Sequence, residues 1–224
     1  MTDVREYRSR EALFTALTDQ VADELRAALA AGPATLAVPG GTTPQPFFES
    51  LRTEVLDWTR VRVMLTDERF VPENSDRSNT RLIRETLLQD AAAAAQYVPF
   101  YVPADRPEDV LAELTQPIAA ALPLSVCVLG MGADMHTASL FPGADRLSEA
   151  LSAGASQVLP MRAPGADEPR LTLTLPVLQA SGAVHILITG QDKREALEAA
   201  LAGDNIEDAP VRGVLGQATV HWAE

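Results

Sequence analysis

Two apolar runs constrain the fold of this chain more than any other feature of its sequence. LSVCVLG occupies positions 124–130, and AVHILITG occupies positions 183–190. Strands of this kind are typical of a parallel sheet that helices cover on both faces, because neither face of the strand then meets water. Each run ends on a glycine, which can adopt the backbone conformations of a sharp turn. The two runs therefore predict inner strands of a parallel sheet.

Predicted helices alternate with predicted strands along the rest of the chain. Residues 9–31 repeat leucine and valine at helical spacing, and Gly32-Pro33 ends the pattern. Further helices are predicted at 44–56, 79–90, 107–122 and 192–203, and further strands at 35–41, 61–66, 98–102, 170–175 and 219–223. This alternation predicts an α/β fold with a doubly wound, mostly parallel sheet and helices on both faces. A length of 224 residues suits one domain, which we expect to span 1–224.

The overall charge argues against several classes of partner. The formal net charge is −13, whereas nucleic acids and anionic membranes favour proteins rich in lysine and arginine. We therefore expect no nucleic-acid and no membrane partner, and neither a signal peptide nor a membrane-spanning run. An anionic small molecule would need a local cluster of cations within this repelling field.

The cysteine and histidine content favours a reducing compartment and argues against a metal site. Cys127 is the only cysteine, so an intrachain disulfide is impossible, and a cytoplasmic location is the simplest expectation. It lies in an apolar run, where a buried core residue is the ordinary interpretation. The three histidines have no zinc-like spacing, and we expect neither a metal nor a cofactor.

Unusual polar residues follow the predicted strands, where ligands bind in sheets of this type. PGGTTP at 39–44 could bring backbone N–H groups and two threonine hydroxyls to an anion, although a plain tight turn has the same composition. TDERFVP places Asp67, Glu68 and Arg69 at the end of the next strand, either at a ligand crevice or in a solvated loop with a local ion pair.

The block LGMGADMHTASLFPG at 129–143 holds the candidate catalytic histidine. His136 lies in a glycine-rich turn after a buried strand, and histidine can act as a general base near neutral pH. Asp134 is close enough in sequence to orient it. A lone histidine is usually structural, and this interpretation is the stronger one for His185 and His221, which lie inside predicted strands.

Two further cations complete the set of candidate binding residues. Arg170 begins the run RLTLTL, and its guanidinium could bind a phosphate with two hydrogen bonds. Lys193 falls in the first turn of a predicted helix, where a cation opposes the helix dipole and an anionic partner would offset this. A strand-capping arginine and a surface lysine are the alternatives.

Four blocks of this sequence, in their order along the chain, resemble blocks of the 6-phosphogluconolactonase family. They are PGGTTP, TDERFVPENSDRSN, LGMGADMHTASLFPG and RLTLTLPVLQASGAVHILITGQDK. The resemblance covers roughly residues 35–215. It implies a fold shared with glucosamine-6-phosphate deaminases and the hydrolysis of 6-phospho-D-glucono-1,5-lactone to 6-phosphogluconate in the oxidative pentose phosphate pathway. It further implies a phosphate cradle and a catalytic set. The cradle comprises Gly40, Gly41, Thr42 and Thr43 with Arg170 and Lys193, and the catalytic set comprises His136, Asp134, Arg69 and Asp67.

The resemblance also suggests how the chemistry would proceed. His136 would take a proton from water, which attacks C1 of the lactone, and would return it to the departing ring oxygen. Arg69 or backbone N–H groups near Gly130–Gly132 would stabilise the charge on the carbonyl oxygen.

This chain departs from the family pattern at one position of the catalytic turn. The family usually has Asp-Gly-His there, whereas this chain has Met135 between Asp134 and His136. If the turn requires a positive φ at that position, the methionine carries strain. Thr42 replaces the commoner serine and keeps the hydroxyl.

Two other functions remain open at this stage, as does a lactonase that prefers a different lactone. An amino-sugar-phosphate isomerase or deaminase could use the same fold, although ASLFPG after the histidine resembles the lactonase branch. A non-catalytic sugar-phosphate sensor is the second alternative, and the methionine at 135 is the one feature in its favour. We expect a small-molecule substrate, and a protein that is a monomer or a weak homodimer.

Overall fold

The computed structural model describes residues 2–224 and contains ten strands in two sheets. In chain order the strands are β1 (Asp3–Glu6), β2 (Ala34–Val38), β3 (Val61–Leu65), β4 (Asp67–Arg69), β5 (Gln96–Tyr97), β6 (Val126–Leu129), β7 (Val158–Met161), β8 (Arg170–Leu173), β9 (Ala183–Thr189) and β10 (Ala218–Ala223). The helices are α1 (Arg10–Ala31), α2 (Gln45–Leu51), α3 (Asn79–Thr86), α4 (Leu111–Ala121), α5 (Leu147–Leu151), α6 (Leu175–Gln179), α7 (Gln191–Ala202) and α8 (Arg212–Leu215). Short 3₁₀ helices lie at Trp58–Arg60, Asp90–Ala94 and Pro107–Val110.

The larger sheet is parallel throughout and has the order β1-β10-β9-β6-β2-β3-β5. From β2 the sheet grows through β3 to β5 in one direction and through β6, β9 and β10 in the other. The direction of growth therefore reverses between β2 and β6. Loops that leave two strands at such a point open a crevice at the carboxyl edge of the sheet. The predicted mostly parallel α/β fold is confirmed, and the sheet order locates its crevice.

A smaller antiparallel sheet, in the order β4-β8-β7, corrects part of the sequence prediction. The residues of β4 were expected in a loop, yet they pair with β8, which lies about a hundred residues further along the chain. The predicted strand at 98–102 is wrong, because the nearest strand, β5, ends at Tyr97. Pro99 and Pro103 in that region lack the N–H group that a strand ladder needs.

Helix α1 covers the sheet with the apolar stripe that the sequence predicted. Ser9 caps its start by accepting a hydrogen bond from the Ala12 N–H at 3.2 Å, and Gly32 follows its end. Its leucine and valine stripe is buried, as are all residues of β2 and β6. Each such side chain contributes about 1.5–3 kcal/mol on burial. No helix within residues 2–224 is both long enough and apolar enough to cross a bilayer.

A buried hydrogen-bonded chain joins α1 to the two strands near one end of the sheet. Nε2 of His185 lies 2.7 Å from the Glu24 carboxylate, and Nδ1 of His185 lies 3.1 Å from Nε2 of His221. Nδ1 of His221 in turn lies 2.8 Å from the Tyr7 hydroxyl. The Glu24 carboxylate can only accept, so each histidine carries its proton on Nε2 and Tyr7 donates to Nδ1 of His221. Burial, aided by nearby His185, lowers the pKa of His221 to about 3. Both histidines are thus structural, as the sequence suggested.

We expect this chain of hydrogen bonds to make stability depend on pH. The unfolded state takes up a proton on His221 near its ordinary pKa of 6.5, whereas the folded state does so only near 3. Stability is therefore full above pH 6.5 and falls as the pH drops from 6.5 towards 3. A change from pH 7 to pH 5 should lower the free energy of unfolding by about 2 kcal/mol, because the unfolded state gains a proton on this one group and the folded state does not.

Urea unfolding at pH 7 and pH 5 measures this effect, and His221→Gln is the matched variant because glutamine does not titrate there. The variant should lose less stability than the native protein between the two pH values. Equal losses would show that His221 does not remain neutral in the folded state.

Candidate active site

Four neighbouring strands of the larger sheet end at one cavity of about 290 Å³. The loops after β2, β3, β6 and β9 all contribute to its lining. Of the predicted catalytic set, Asp67, Arg69 and His136 line the cavity. Of the predicted phosphate set, Gly40, Gly41, Thr43, Arg170 and Lys193 line it. Thr42 is exposed outside the lining, and Asp134 meets the cavity only through His136.

Asp134 and His136 form a hydrogen-bonded pair beside the cavity. Nδ1 of His136 lies 2.5 Å from Oδ1 of Asp134, which also accepts the His136 backbone N–H at 3.3 Å. The hydrogen bond with His136 holds the pKa of Asp134 below its usual range, so this carboxylate is ionised at neutral pH. An ionised carboxylate only accepts, and the imidazole proton therefore lies on Nδ1. Nε2 of a neutral His136 is left free to take a proton.

The turn that carries this pair depends on a glycine at position 132. A Cβ atom there would lie 2.1 Å from Nδ1 of His136 and 2.2 Å from Oδ1 of Asp134. Any other residue would therefore push the pair away from its present position. The Gly132 N–H donates to the His136 carbonyl at 3.0 Å. It is thus already used within the turn and is not free to stabilise an oxyanion, whereas the same role for the other N–H groups near Gly130 stays a prediction.

Met135 adopts the left-handed conformation that its position in the turn requires. Its φ is 64°, in the region that favours glycine, whereas the family resemblance leads one to expect glycine there. The Met135 carbonyl accepts a hydrogen bond from the Val211 N–H at 3.2 Å. The methionine therefore carries local strain in this turn, and the hydrogen bond from Val211 helps to hold it there.

Two arginines face each other across the small sheet at the cavity. Arg69 in β4 pairs directly with Arg170 in β8 in the antiparallel register. Like charges in this arrangement repel and destabilise a sheet. The Nε atoms of both residues are buried and have no hydrogen-bond partner among the residues that the structure describes. Two such cations, held side by side at the cavity, favour the binding of an anion.

Asp67 offsets part of this repulsion from a buried position. Its Oδ2 lies 3.8 Å from Nη1 of Arg170 and accepts a hydrogen bond from the Ser139 hydroxyl at 2.5 Å. Burial lowers the pKa of Arg170, and the negative charge of Asp67 acts in the opposite direction. Arginine stays charged in either case. Asp67 therefore positions Arg170 and lowers the net charge at the cavity.

Glu68, the middle residue of the motif, faces away from the cavity. Its carboxylate accepts the backbone N–H groups of Arg69, Asn79 and Thr80 at 2.7–2.8 Å. The hydroxyls of Ser78 and Thr80 also donate to it. Burial raises the pKa of Glu68, while these hydrogen bonds oppose the rise. Its role is to attach the first turn of α3 to β4, and it does not line the ligand crevice.

Asn79 is a cavity residue that the sequence did not single out. Its side chain lies so close to Gly40 that a Cβ atom on that glycine would be 2.0 Å from Oδ1. The amide nitrogen donates to the Asp67 carbonyl at 3.1 Å. Asn79 thus fixes the glycine loop against β4. The sequence predicts only a helix start here, and no local pattern indicates which loop the amide would contact.

Lys193 is the only lysine in the chain, since the other members of its 18 lysine and arginine residues are all arginines. It lies in the first turn of α7, a helix that begins directly after Gly190. The φ of 90° at Gly190 turns the chain out of β9. The Lys193 ammonium group forms no ion pair with the residues 2–224. The adjacent Arg194, by contrast, pairs with Glu6 and Glu198 on the outside.

Comparison with known proteins gives a consistent result. The family model described as glucosamine-6-phosphate isomerases/6-phosphogluconolactonase matches residues 8–222. A curated 6-phosphogluconolactonase of Rhizobium meliloti (strain 1021) is 46% identical over 224 residues, covering 97% of each chain. The crystal structure of a 6-phosphogluconolactonase from Shewanella baltica OS155 superposes with a TM-score of 0.94 at 31% identity, covering 100% of this chain and 98% of the other.

One further likeness concerns the fold alone. A monomeric glucosamine-6-phosphate deaminase superposes with a TM-score of 0.80 at 20% identity, covering 99% of this chain and 97% of the deaminase. The expectation of a fold shared with such deaminases is therefore confirmed.

The left-handed conformation at position 135 leads to a stability prediction. Met135→Gly and Met135→Ala remove nearly the same side chain, but only glycine adopts this conformation without strain. The glycine variant should therefore be more stable than the alanine variant by about 1 kcal/mol. Thermal or urea unfolding of the two variants measures the difference.

The matched control is Ala133→Gly, because residue 133 belongs to the same turn but does not have a positive φ. This variant should lose about 0.5–1 kcal/mol, the usual cost of glycine. If Met135→Gly were less stable than Met135→Ala, the turn in solution would differ from the one described.

Proposed function

The chain belongs to the family of glucosamine-6-phosphate isomerases and 6-phosphogluconolactonases, and we propose that it hydrolyses 6-phospho-D-glucono-1,5-lactone to 6-phosphogluconate. The enzyme class follows from its full-length similarity to curated lactonases. The observation that carries the detailed proposal is the Asp134–His136 pair at a cavity that also holds Arg69, Arg170 and Lys193. The reaction would be a step of the oxidative pentose phosphate pathway, and a cytoplasmic location stays a prediction.

The substrate phosphate binds on the side of the cavity that holds Gly40, Gly41, Thr43, Arg170 and Lys193. Gly41 has a φ of 90°, which lets the loop present its backbone to a ligand without an intervening side chain. Arg170 and Lys193 supply charge-assisted hydrogen bonds, which are about twice as strong as neutral ones. These cations concentrate positive charge locally in a chain of net charge −13. Thr42 does not take part in this binding, because its side chain lies outside the cavity.

The phosphate anchor places the lactone ring so that C1 lies near His136. Nε2 of His136 takes a proton from a water molecule as that water attacks C1. Nδ1 keeps its proton and donates it in a hydrogen bond to the Asp134 carboxylate, which stabilises the imidazolium as it forms. General base help of this kind contributes about 10²–10⁴-fold to the rate.

Attack on C1 moves negative charge onto the carbonyl oxygen of the lactone. Arg69 lies across from Arg170 and lines the cavity, so its guanidinium is suited to that oxygen. The tetrahedral intermediate then collapses, the bond between C1 and the ring oxygen breaks, and the imidazolium returns its proton to that oxygen. The products are a carboxylic acid at C1, which releases its proton to the solvent and becomes a carboxylate, and a free hydroxyl at C5.

Replacement of His136 tests the assignment of the base. His136→Ala should lower kcat by about 10²–10⁴-fold, because water then attacks without proton removal. The assay uses lactone generated in situ by glucose-6-phosphate dehydrogenase, with spontaneous hydrolysis subtracted.

Titration with 6-phosphogluconate accompanies this assay, since the variant should keep its affinity for the phosphorylated product. A variant with near-native kcat would refute the role of His136. A native protein without any turnover above background would refute the lactonase activity itself.

Replacement of Lys193 tests the phosphate site separately. Lys193→Ala should raise KM for the phosphorylated lactone by about 10–100-fold, the loss expected for one hydrogen bond to a charged group. It should leave KM for unphosphorylated glucono-1,5-lactone unchanged, since that substrate has no phosphate to bind.

Arg194→Ala is the control variant, because Arg194 lies on the same helix turn but outside the cavity lining. It should have native kinetics with both lactones. An equal rise in KM for both lactones in Lys193→Ala would show that the lysine does not bind the phosphate.

A further inference from the structure

Phe141 contacts two functional side chains of the site without lining the cavity itself. Its ring centroid lies 4.0 Å from that of the His136 imidazole, with an angle of 33° between the planes. The Arg170 guanidinium carbon lies 5.0 Å from the centroid of the same phenylalanine ring. One partly buried side chain therefore contacts both the group proposed as the base and a cation of the phosphate site.

A tight and buried turn fixes Phe141 in this position. Thr137 and Leu140 form an antiparallel bridge, so the residues just outside it, His136 and Phe141, come together. The Thr137 hydroxyl donates to the Gly130 carbonyl at 2.9 Å, and Thr137 and Leu140 are fully buried. Because this turn is anchored to the end of β6, the phenylalanine ring has little freedom to move away.

We propose that Phe141 is a positioning residue, whose ring holds the His136 imidazole and the Arg170 guanidinium in their working arrangement. The role rests on the proposed lactone hydrolysis. Among residues 2–224, the His136 imidazole has one oriented hydrogen bond, from Nδ1 at its edge to Asp134, and Phe141 packs against its face. The two contacts together limit tilting of the ring and keep Nε2 directed towards the substrate.

The aromatic character of residue 141 is essential to this role. The face of an aromatic ring attracts a guanidinium, and it also stabilises the imidazolium that forms when His136 takes its proton. Leucine would fill part of the same space but would offer neither attraction. Tyrosine keeps the ring and its face.

The experiment compares Phe141→Leu with Phe141→Tyr in the lactone assay. Phe141→Leu should lower kcat by about three- to tenfold through His136 and raise KM by about three- to tenfold through Arg170. These factors correspond to the free energy that such contacts with an aromatic ring contribute. Phe141→Tyr should have both constants within about twofold of the native values, because tyrosine keeps the aromatic ring and so nearly all of this free energy.

The matched control is Phe14→Leu, since Phe14 is also a partly buried phenylalanine but lies on α1, outside the site. It should leave both kinetic constants at native values. The proposal is overturned if Phe14→Leu reproduces the kinetic losses, if Phe141→Leu has native constants, or if Phe141→Tyr is impaired as much as Phe141→Leu.

Nitrogen NMR of the imidazole groups separates this inference from the proposed function. The chain has three histidines, and His136→Ala assigns the resonances of His136. In Phe141→Leu the His136 resonances should shift, while those of His185 and His221 stay at native positions. If the native protein lacks lactonase activity, the proposed function fails and these resonances still decide whether Phe141 orients His136. Unchanged His136 resonances would overturn the positioning role.

Discussion

The site depends above all on the parallel pairing of β2 with β6. These strands meet through Leu36 opposite Val126 and Ala37 opposite Cys127, and Thr35 and Ser125 exchange further hydrogen bonds at their start. Every residue of both strands is buried, so the hydrophobic effect drives their association. The sheet order reverses between them, which opens the crevice. Without this pairing the glycine loop and the histidine turn would share no common edge.

The charge that lines the cavity is opposite in sign to the net charge of the whole protein. The chain carries a net charge of −13, yet its cavity gathers three cationic side chains with few ion-pair partners. The register of the small sheet places Arg69 opposite Arg170, an arrangement that destabilises the protein unless an anion or Asp67 offsets it. Such locally unfavourable arrangements are expected where a ligand supplies the missing interaction. A phosphorylated lactone, the proposed substrate, has the charge to do so.

The turn from Gly130 to Phe141 concentrates the constraints that orient the base. Gly132 leaves room for the Asp134–His136 pair, and Met135 and Ala138 both have positive φ. Strain of this kind persists only where surrounding contacts hold the backbone in place. Here the contacts come from fully buried residues of the turn and from the hydrogen bond between the Val211 N–H and the Met135 carbonyl. The base is therefore oriented by a rigid turn, which favours catalysis at a fixed geometry.

Local patterns in the sequence determined five strands of the large sheet, β2, β3, β6, β9 and β10, and the longer helices, because burial periodicity and glycine or proline stops act within a few residues. They did not indicate the edge strand β1, and they placed the other edge strand, β5, too late in the chain. They also determined that Asp134 and His136 lie in one turn. Only the tertiary structure decided that 67–69 form a strand, that Arg69 faces Arg170, that Asn79 lies over Gly40, and that Thr42 lies outside the cavity. These outcomes depend on the register between segments distant in the chain, and a register is set by packing of the whole molecule.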